Sequence, residues 1–267
     1  MSEGNTCQDL ESVSPTLVNA AVCDAMDTSL MRIECGFTRG FAGMQLLGNT
    51  SEVCRDGKER ARVALEALGI NMPPRRLVVN LTPADRKTDG NQLDLPVAVS
   101  LALLLDQRQP VVDPSAWLFA AELGLGGELR PVRGAVSYAV AAMAKGLQGI
   151  VVAQENAPEI DVLVGLNPHQ SLQVLGMPDL SAVLAWIYGE GQQPPRQVAV
   201  HKAASGDQLG PNFDDMILDP VVEMAALTAC AGMHSMLLRG VPGTGKSMLA
   251  ARLASILPDL EQAQLVE

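Results

Sequence analysis

Between Thr16 and Gly189 the chain switches repeatedly from short apolar runs to longer segments whose apolar residues recur at helical spacing. "LMRIECGF", "MQLLG" and "RRLVVNLTP" have strand length and β-branched or apolar content, whereas "SEVCRDGKERARVALEALG" has the period of a helix stopped by Gly69. "LDLPVAVSLALLLDQR" predicts a buried helix that tolerates Pro96 because the first turn has no intrahelical use for its missing N–H. "LFAAELGLGGELRPVRG" predicts a hairpin turning at Gly126–Gly127, followed by a small-residue helix in "AVSYAVAAMAKG" and a strand in "GIVVA". Interleaved strands and helices of this kind predict an α/β domain with a mixed sheet.

The pattern breaks after Gly189. Residues 190–212, "EGQQPPRQVAVHKAASGDQLGPN", are rich in Gly, Pro and Gln and read as a linker. The expected organisation is a polar extension over 1–15, an α/β domain over 16–189, the linker, and a second unit over 213–267. That second unit opens with an alanine-rich helix in "DPVVEMAALTACAGMHS" and passes through "SMLLR", a run of strand length.

The next residues carry the most specific chemistry in the chain. Gly240, four residues, then Gly245, Lys246 and Ser247 match G-x-x-x-x-G-K-[ST], with the helical pattern "KSMLAARLASIL" behind it. Glycines at 240, 243 and 245 permit the cramped or positive backbone angles that turn successive N–H groups toward one anion. Lys246 is placed to reach the β- and γ-phosphates of a nucleotide, and the Ser247 hydroxyl to ligate Mg²⁺. The expected nucleotide-binding residues are Gly240, Val241, Pro242, Gly243, Thr244, Gly245, Lys246, Ser247 and Met248, with ATP and Mg²⁺ as cofactors. Only 21 residues follow Lys246, and "DLEQAQLVE" is not the strand whose acidic end would hold Mg²⁺, so the sequence reads as part of a larger ATPase.

Composition limits the partners. With 30 acidic and 19 basic residues, a net charge of −11, the chain as a whole does not attract nucleic acid, so any DNA contact must be local or lie in further sequence. Five dispersed cysteines without a C-x-x-C pair predict reduced thiols rather than a disulfide framework or zinc site. The polar, acidic N-terminus is unlike a signal peptide and the longest apolar run, Leu95 to Leu105, is too short to span a bilayer, which predicts a cytoplasmic protein with no membrane partner.

Three blocks carry a family resemblance: "LEALGINMPPRRLVVNLTPADRKTDGNQLDLPVAVSLALLL", "GELRPVRGAVSYAVAA" and "IVVAQENAPE". Together with the phosphate-loop pattern they resemble the bacterial magnesium-chelatase-like AAA+ proteins of the YifB and ComM competence-protein family, from about Thr16 to Ser247. The resemblance implies a Lon-protease-like α/β domain followed by the start of a P-loop AAA+ domain. It also implies a homo-hexameric, ATP-driven motor that acts on DNA, in branch migration during natural transformation. A non-catalytic assembly or binding module is the alternative, with a Ser–Lys peptidase or a true magnesium chelatase subunit behind it. Two departures stand out: the family's G-L-P is Gly48-Asn49-Thr50 here, and its D-V-x-G-Q reads "DMILD", Asp215 to Asp219.

The Lon likeness raises a peptidase, which needs a serine activated by a neutral lysine. Aligning "TDGNQLDLPVAVS" and "RPVRGAVSYAVAA" with the Lon motifs puts Asp94 at the nucleophile position and Val136 at the base position, so no peptidase is expected. Ser100 falls on the wrong helix turn and Lys145 ends its helix. Asp85, Arg86, Lys87 and Asp89 read as a solvated turn, and Arg55, Lys58, Arg60 and Arg62 as an exposed helix face rather than a phosphate contact. His234 matches a family position near the nucleotide and suits capping or packing equally well.

Overall fold

The computed structural model describes residues 17–24, 27–48, 51–84, 90–166, 171–190 and 211–258. The N-terminal extension, the charged turn from Asp85 to Asp89 and residues 191–210 of the expected linker lie outside them. Two compact units divide the chain, 1–200 and 201–267.

The first unit is built on one seven-stranded sheet. Its elements run β1 (Leu17–Asp24), β2 (Asp27–Thr38), β3 (Gly43–Leu47), α1 (Glu52–Ala67), β4 (Arg76–Thr82), α2 (Asp94–Leu105), β5 (Trp117–Ala120), β6 (Glu122–Leu123), β7 (Leu129–Arg130), α3 (Ala135–Ala144), β8 (Gly149–Ala153), α4 (Ala157–Leu166), β9 (Gln173–Met177) and α5 (Leu180–Ile187). The sheet order is β3-β4-β2-β1-β5-β8-β9, with β6 and β7 as a separate hairpin. Only the β1–β2 and β2–β4 pairs are antiparallel; the remaining four are parallel. The mixed α/β architecture is the one expected.

Period-two alternation divides the sheet between two layers of helix. Val18, Ala20 and Val22 of β1, Met31 and Ile33 of β2, and Val79 and Leu81 of β4 join α1, α2 and α5 in one core. On the opposite face α3 packs over β1 and β5, where Tyr138 lies beside Cys23. All five residues of β8, "GIVVA", are buried, as a strand flanked by parallel neighbours requires. Gly149 is needed there because a Cβ would sit 2.3 Å from the Trp117 ring and 2.5 Å from the Gln173 carbonyl. α2 is apolar nearly all round and buried from Asp94 to Leu103. The Gly126–Gly127 hairpin forms as expected, with Gly127 at φ +89° between β6 and β7.

The second unit has a small core of Phe213, Ala226 and Leu249, contributed by a 3-10 turn at Phe213–Asp215, α6 (Pro220–Ala231) and α7 (Lys246–Leu253). Asp219 caps α6 by accepting the Val221 N–H, and Pro220 occupies the first helical position. One expectation fails here: "SMLLR", expected as the strand before the phosphate loop, is irregular from Ser235 to Arg239. A strand is held by its neighbours, and among the described residues of this unit no other extended segment lies alongside to complete a ladder. Leu237 is 90% exposed.

Candidate nucleotide site

The loop from Gly240 to Gly245 is closed by bonds to its own carbonyl at Val241. Gly243 and Gly245 have φ of +83° and +79°, so both occupy the left-handed region that glycine enters without strain. Gly240 is under neither constraint, since a Cβ there would make only ordinary contact, 3.4 Å from Thr244 Oγ1. Thr244 Oγ1 donates to the Val241 carbonyl at 2.9 Å. Lys246 Nζ donates to the same carbonyl at 2.6 Å and stands 3.2 Å from Thr244 Oγ1, which draws the ammonium across the loop.

Gly245 begins α7 with no side chain capping it. The first bond of the helix runs from the Leu249 N–H to the Gly245 carbonyl, leaving the amides of Lys246, Ser247 and Met248 as the orphan donors of the first turn. A triphosphate fits these donors: an anion would take the orphan amides at the positive end of the helix, and Lys246 would exchange a carbonyl for a phosphate oxygen. Ser247 is exposed at the same end, where a hydroxyl can reach a metal ion held by phosphate. His234 is exposed, and its backbone N–H bonds to Ala229 O at the end of α6.

The position where a Lon-type serine would stand holds an ion pair. Asp94, at the start of α2, is 2% exposed and receives Arg60 of α1 through Nε at 2.7 Å and Nη2 at 3.0 Å. Its Oδ2 also accepts the Leu123 N–H at 3.2 Å, while Arg60 Nη2 bonds to Asn91 Oδ1 at 3.0 Å and Asn91 Nδ2 to Glu122 Oε2 at 2.8 Å. Burial pushes the Asp94 carboxyl above its ordinary range, and Arg60 opposes that shift. Gly57 makes the pair possible, because a Cβ on α1 at that point would lie 2.2 Å from Asp94 Oδ1. Arg60 is therefore turned inward, unlike the exposed face expected of it. Arg62 is held by Glu59 and Glu66 on that face. Ser100 is fully buried beside the Cys35 thiol, and no cluster of three or more potential metal ligands occurs among the described residues.

Comparison with known proteins follows the same division. Residues 33–156 match the model for subunit ChlI of Mg-chelatase, and residues 212–267 a second model for magnesium chelatase subunit ChlI. The chain is 30% identical over 261 residues to the competence protein ComM of Haemophilus influenzae, covering 96% of this chain and 49% of that protein. It is 31% identical over 257 residues to YifB of Salmonella typhimurium, covering 96% and 48%. The chain belongs to the magnesium-chelatase-like ComM/YifB family.

The chain spans about half the length of the ComM and YifB relatives it matches. A more distant likeness, 23% identity over 177 residues, links it to a Lon protease of Mycolicibacterium smegmatis, covering 64% of this chain and 22% of that protein. Among the described residues no helix is long and apolar enough to cross a membrane. The second ChlI match contains the whole of the 240–248 segment, and the first contains Arg60, Asp94 and Val136.

Proposed function

We propose that this ComM/YifB-family chain is the N-terminal part of an ATP-driven AAA+ motor that acts on DNA, cytoplasmic and assembled as a homo-hexamer at full family length. The observation that carries the reading is the uncapped start of α7 behind Gly243 and Gly245, with Lys246 drawn across the loop. In this reading Gly240 to Met248 hold the triphosphate through backbone amides, Lys246 neutralises the outer phosphates, and Ser247 completes the Mg²⁺ shell. Bound Mg-ATP would supply the phosphoryl group whose transfer drives the motor. The first unit serves as a non-proteolytic scaffold, because a buried carboxylate paired with Arg60 cannot act as a hydroxyl nucleophile.

Photolabelling with an azido-ATP detects weak sites and tests the loop directly. Labelling of the 240–248 segment that excess ATP prevents and that Lys246→Ala abolishes supports the reading. Labelling elsewhere, or labelling indifferent to Lys246, removes the loop from it.

A further inference from the structure

The β2–β3 connection places an exposed aromatic ring near arginines that form no ion pair among the described residues. Strand β4 is inserted between β2 and β3, so the connecting residues 39–42 arch over the start of β4, where Arg76 is opposite both Thr38 and Gly43. That crossing brings Arg39 and Phe41 to Arg75 and Arg76. The Gly40 backbone rests on the Arg76 side chain, which a Cβ would meet at 2.7 Å, and Arg76 bonds to Gln45. Arg75 stacks on Phe37 with its guanidinium carbon 4.6 Å from the ring centre. Phe41 is 97% exposed, whereas Phe119 and Phe213 are buried.

Charge singles this patch out. Neither 35–51 nor 67–84, the two stretches that form it, contains an acidic residue, in a chain with a net charge of −11. Among the described residues no carboxylate forms an ion pair with Arg39, Arg75 or Arg76; Arg32, Arg55, Arg133, Arg239 and Arg252 share that, so what marks the patch is three such arginines beside an exposed ring on two stretches without acidic residues. Guanidinium groups left without carboxylates suit phosphates, and an exposed ring suits a base with a free face. Bases offer that face when unpaired and unstacked, which favours a single strand over a duplex.

We propose that Arg39, Phe41, Arg75 and Arg76 form a binding surface for single-stranded nucleic acid, with Phe41 stacking on a base and the arginines on flanking phosphates. This deepens the reading of the family as a motor on DNA by assigning a contact to the first unit. Three phosphate contacts give a slope of about −2 in log K against log salt, so a fourfold rise in salt weakens binding roughly twentyfold.

Fluorescence anisotropy of the 267-residue chain with a labelled oligothymidine, and with an abasic strand of equal phosphate count, tests the surface. The oligothymidine is expected to bind more tightly. Phe41→Ala is expected to weaken it roughly five- to 150-fold and to erase its advantage over the abasic strand. Arg39→Gln and Arg75→Gln should each reduce the salt slope by about 0.7. Both residues and Phe41 are exposed, and unchanged tryptophan emission confirms the fold of each variant. Absence of binding at low salt, equal affinity for both strands, indifference to Phe41→Ala, or a slope unmoved by the arginine variants would each overturn the proposal. The titration contains no ATP, so it can fail while the nucleotide site stands, and the photolabelling can fail while the surface stands.

Discussion

Replacing Asp94 by alanine probes the buried ion pair at the position where the Lon resemblance would put a nucleophile. The carboxylate is 2% exposed and its partner Arg60 23%, so removing Asp94 leaves a mostly enclosed guanidinium that, among the described residues, keeps Asn91 Oδ1 at 3.0 Å and a long 3.5 Å contact to the Val53 carbonyl. Breaking a buried pair from one side costs about 3–5 kcal/mol. Partial water access to Arg60 argues for the lower end, about 3 kcal/mol. With a urea slope of about 1–3 kcal/mol per M, the unfolding midpoint should fall by roughly 1–3 M. The assay reads the first unit selectively, because the chain's two tryptophans, Trp117 and Trp186, meet edge-to-face at 4.7 Å in its core. A paired replacement, Arg60→Met with Asp94→Leu, should recover most of the loss, since neither charge is then left unpaired. Asp94→Ser should be destabilised like the alanine variant and should acquire no peptidase activity, with Val136 on α3 at the base position. A loss below about 1 kcal/mol for Asp94→Ala would refute the reasoning, because that is the scale of a surface pair.

Two further outcomes follow from packing. Gly149→Ala drives a methyl into the Trp117 ring and the Gln173 carbonyl and should cost about 1–3 kcal/mol or more, read from the same tryptophan transition; a neutral result would show that β5 and β9 yield easily. Burial pushes the Cys35 thiol up to about 12, so at pH 8 its thiolate fraction is on the order of 10⁻⁴ and alkylation in the folded chain should be far slower than in urea, as mass spectrometry of the labelled peptide would report. Because the unfolded thiol ionises near 9.0, this stabilising preference is intact below that pH and is lost as pH rises toward about 12.

Local signals made much of the first unit legible. α1 ends where Gly69 said it would, with φ +80°, and the hairpin turns at its paired glycines. β1 leaves no clear signal in the sequence because a central strand buried on both faces needs no alternation, and "LVNAAVCD" is rich in small residues with weak strand preference. α4, β9 and α5 were likewise not assigned, although Asp179, which caps α5 by accepting the Ala182 N–H, was a readable start signal. Gly57, an unfavourable residue inside a helix, is explained by the approach of Asp94 from 37 residues away, which no local signal shows. The Arg39–Phe41–Arg75–Arg76 patch was equally hidden, since it exists only once β4 enters between β2 and β3. At residues 240–247 the glycines and Lys246 are legible as a spacing, whereas the irregular course of Ser235 to Arg239 is not, because pairing rather than propensity decides a strand.

ATP turnover at two chain lengths tests the central claim most directly. Loop amides, a helix end and one lysine can hold a phosphate, but hydrolysis also needs an acidic Mg²⁺ partner and an arginine finger, the latter alone contributing on the order of 10³ to 10⁵ in rate. Phosphate release should therefore be measured with Mg²⁺ and DNA for the 267-residue chain and for a form completed to the length of its ComM and YifB relatives. The account predicts turnover by the longer form that Lys246→Ala abolishes, and none above background from the shorter chain. Robust turnover by the shorter chain, or turnover by the longer form that survives Lys246→Ala, would contradict it.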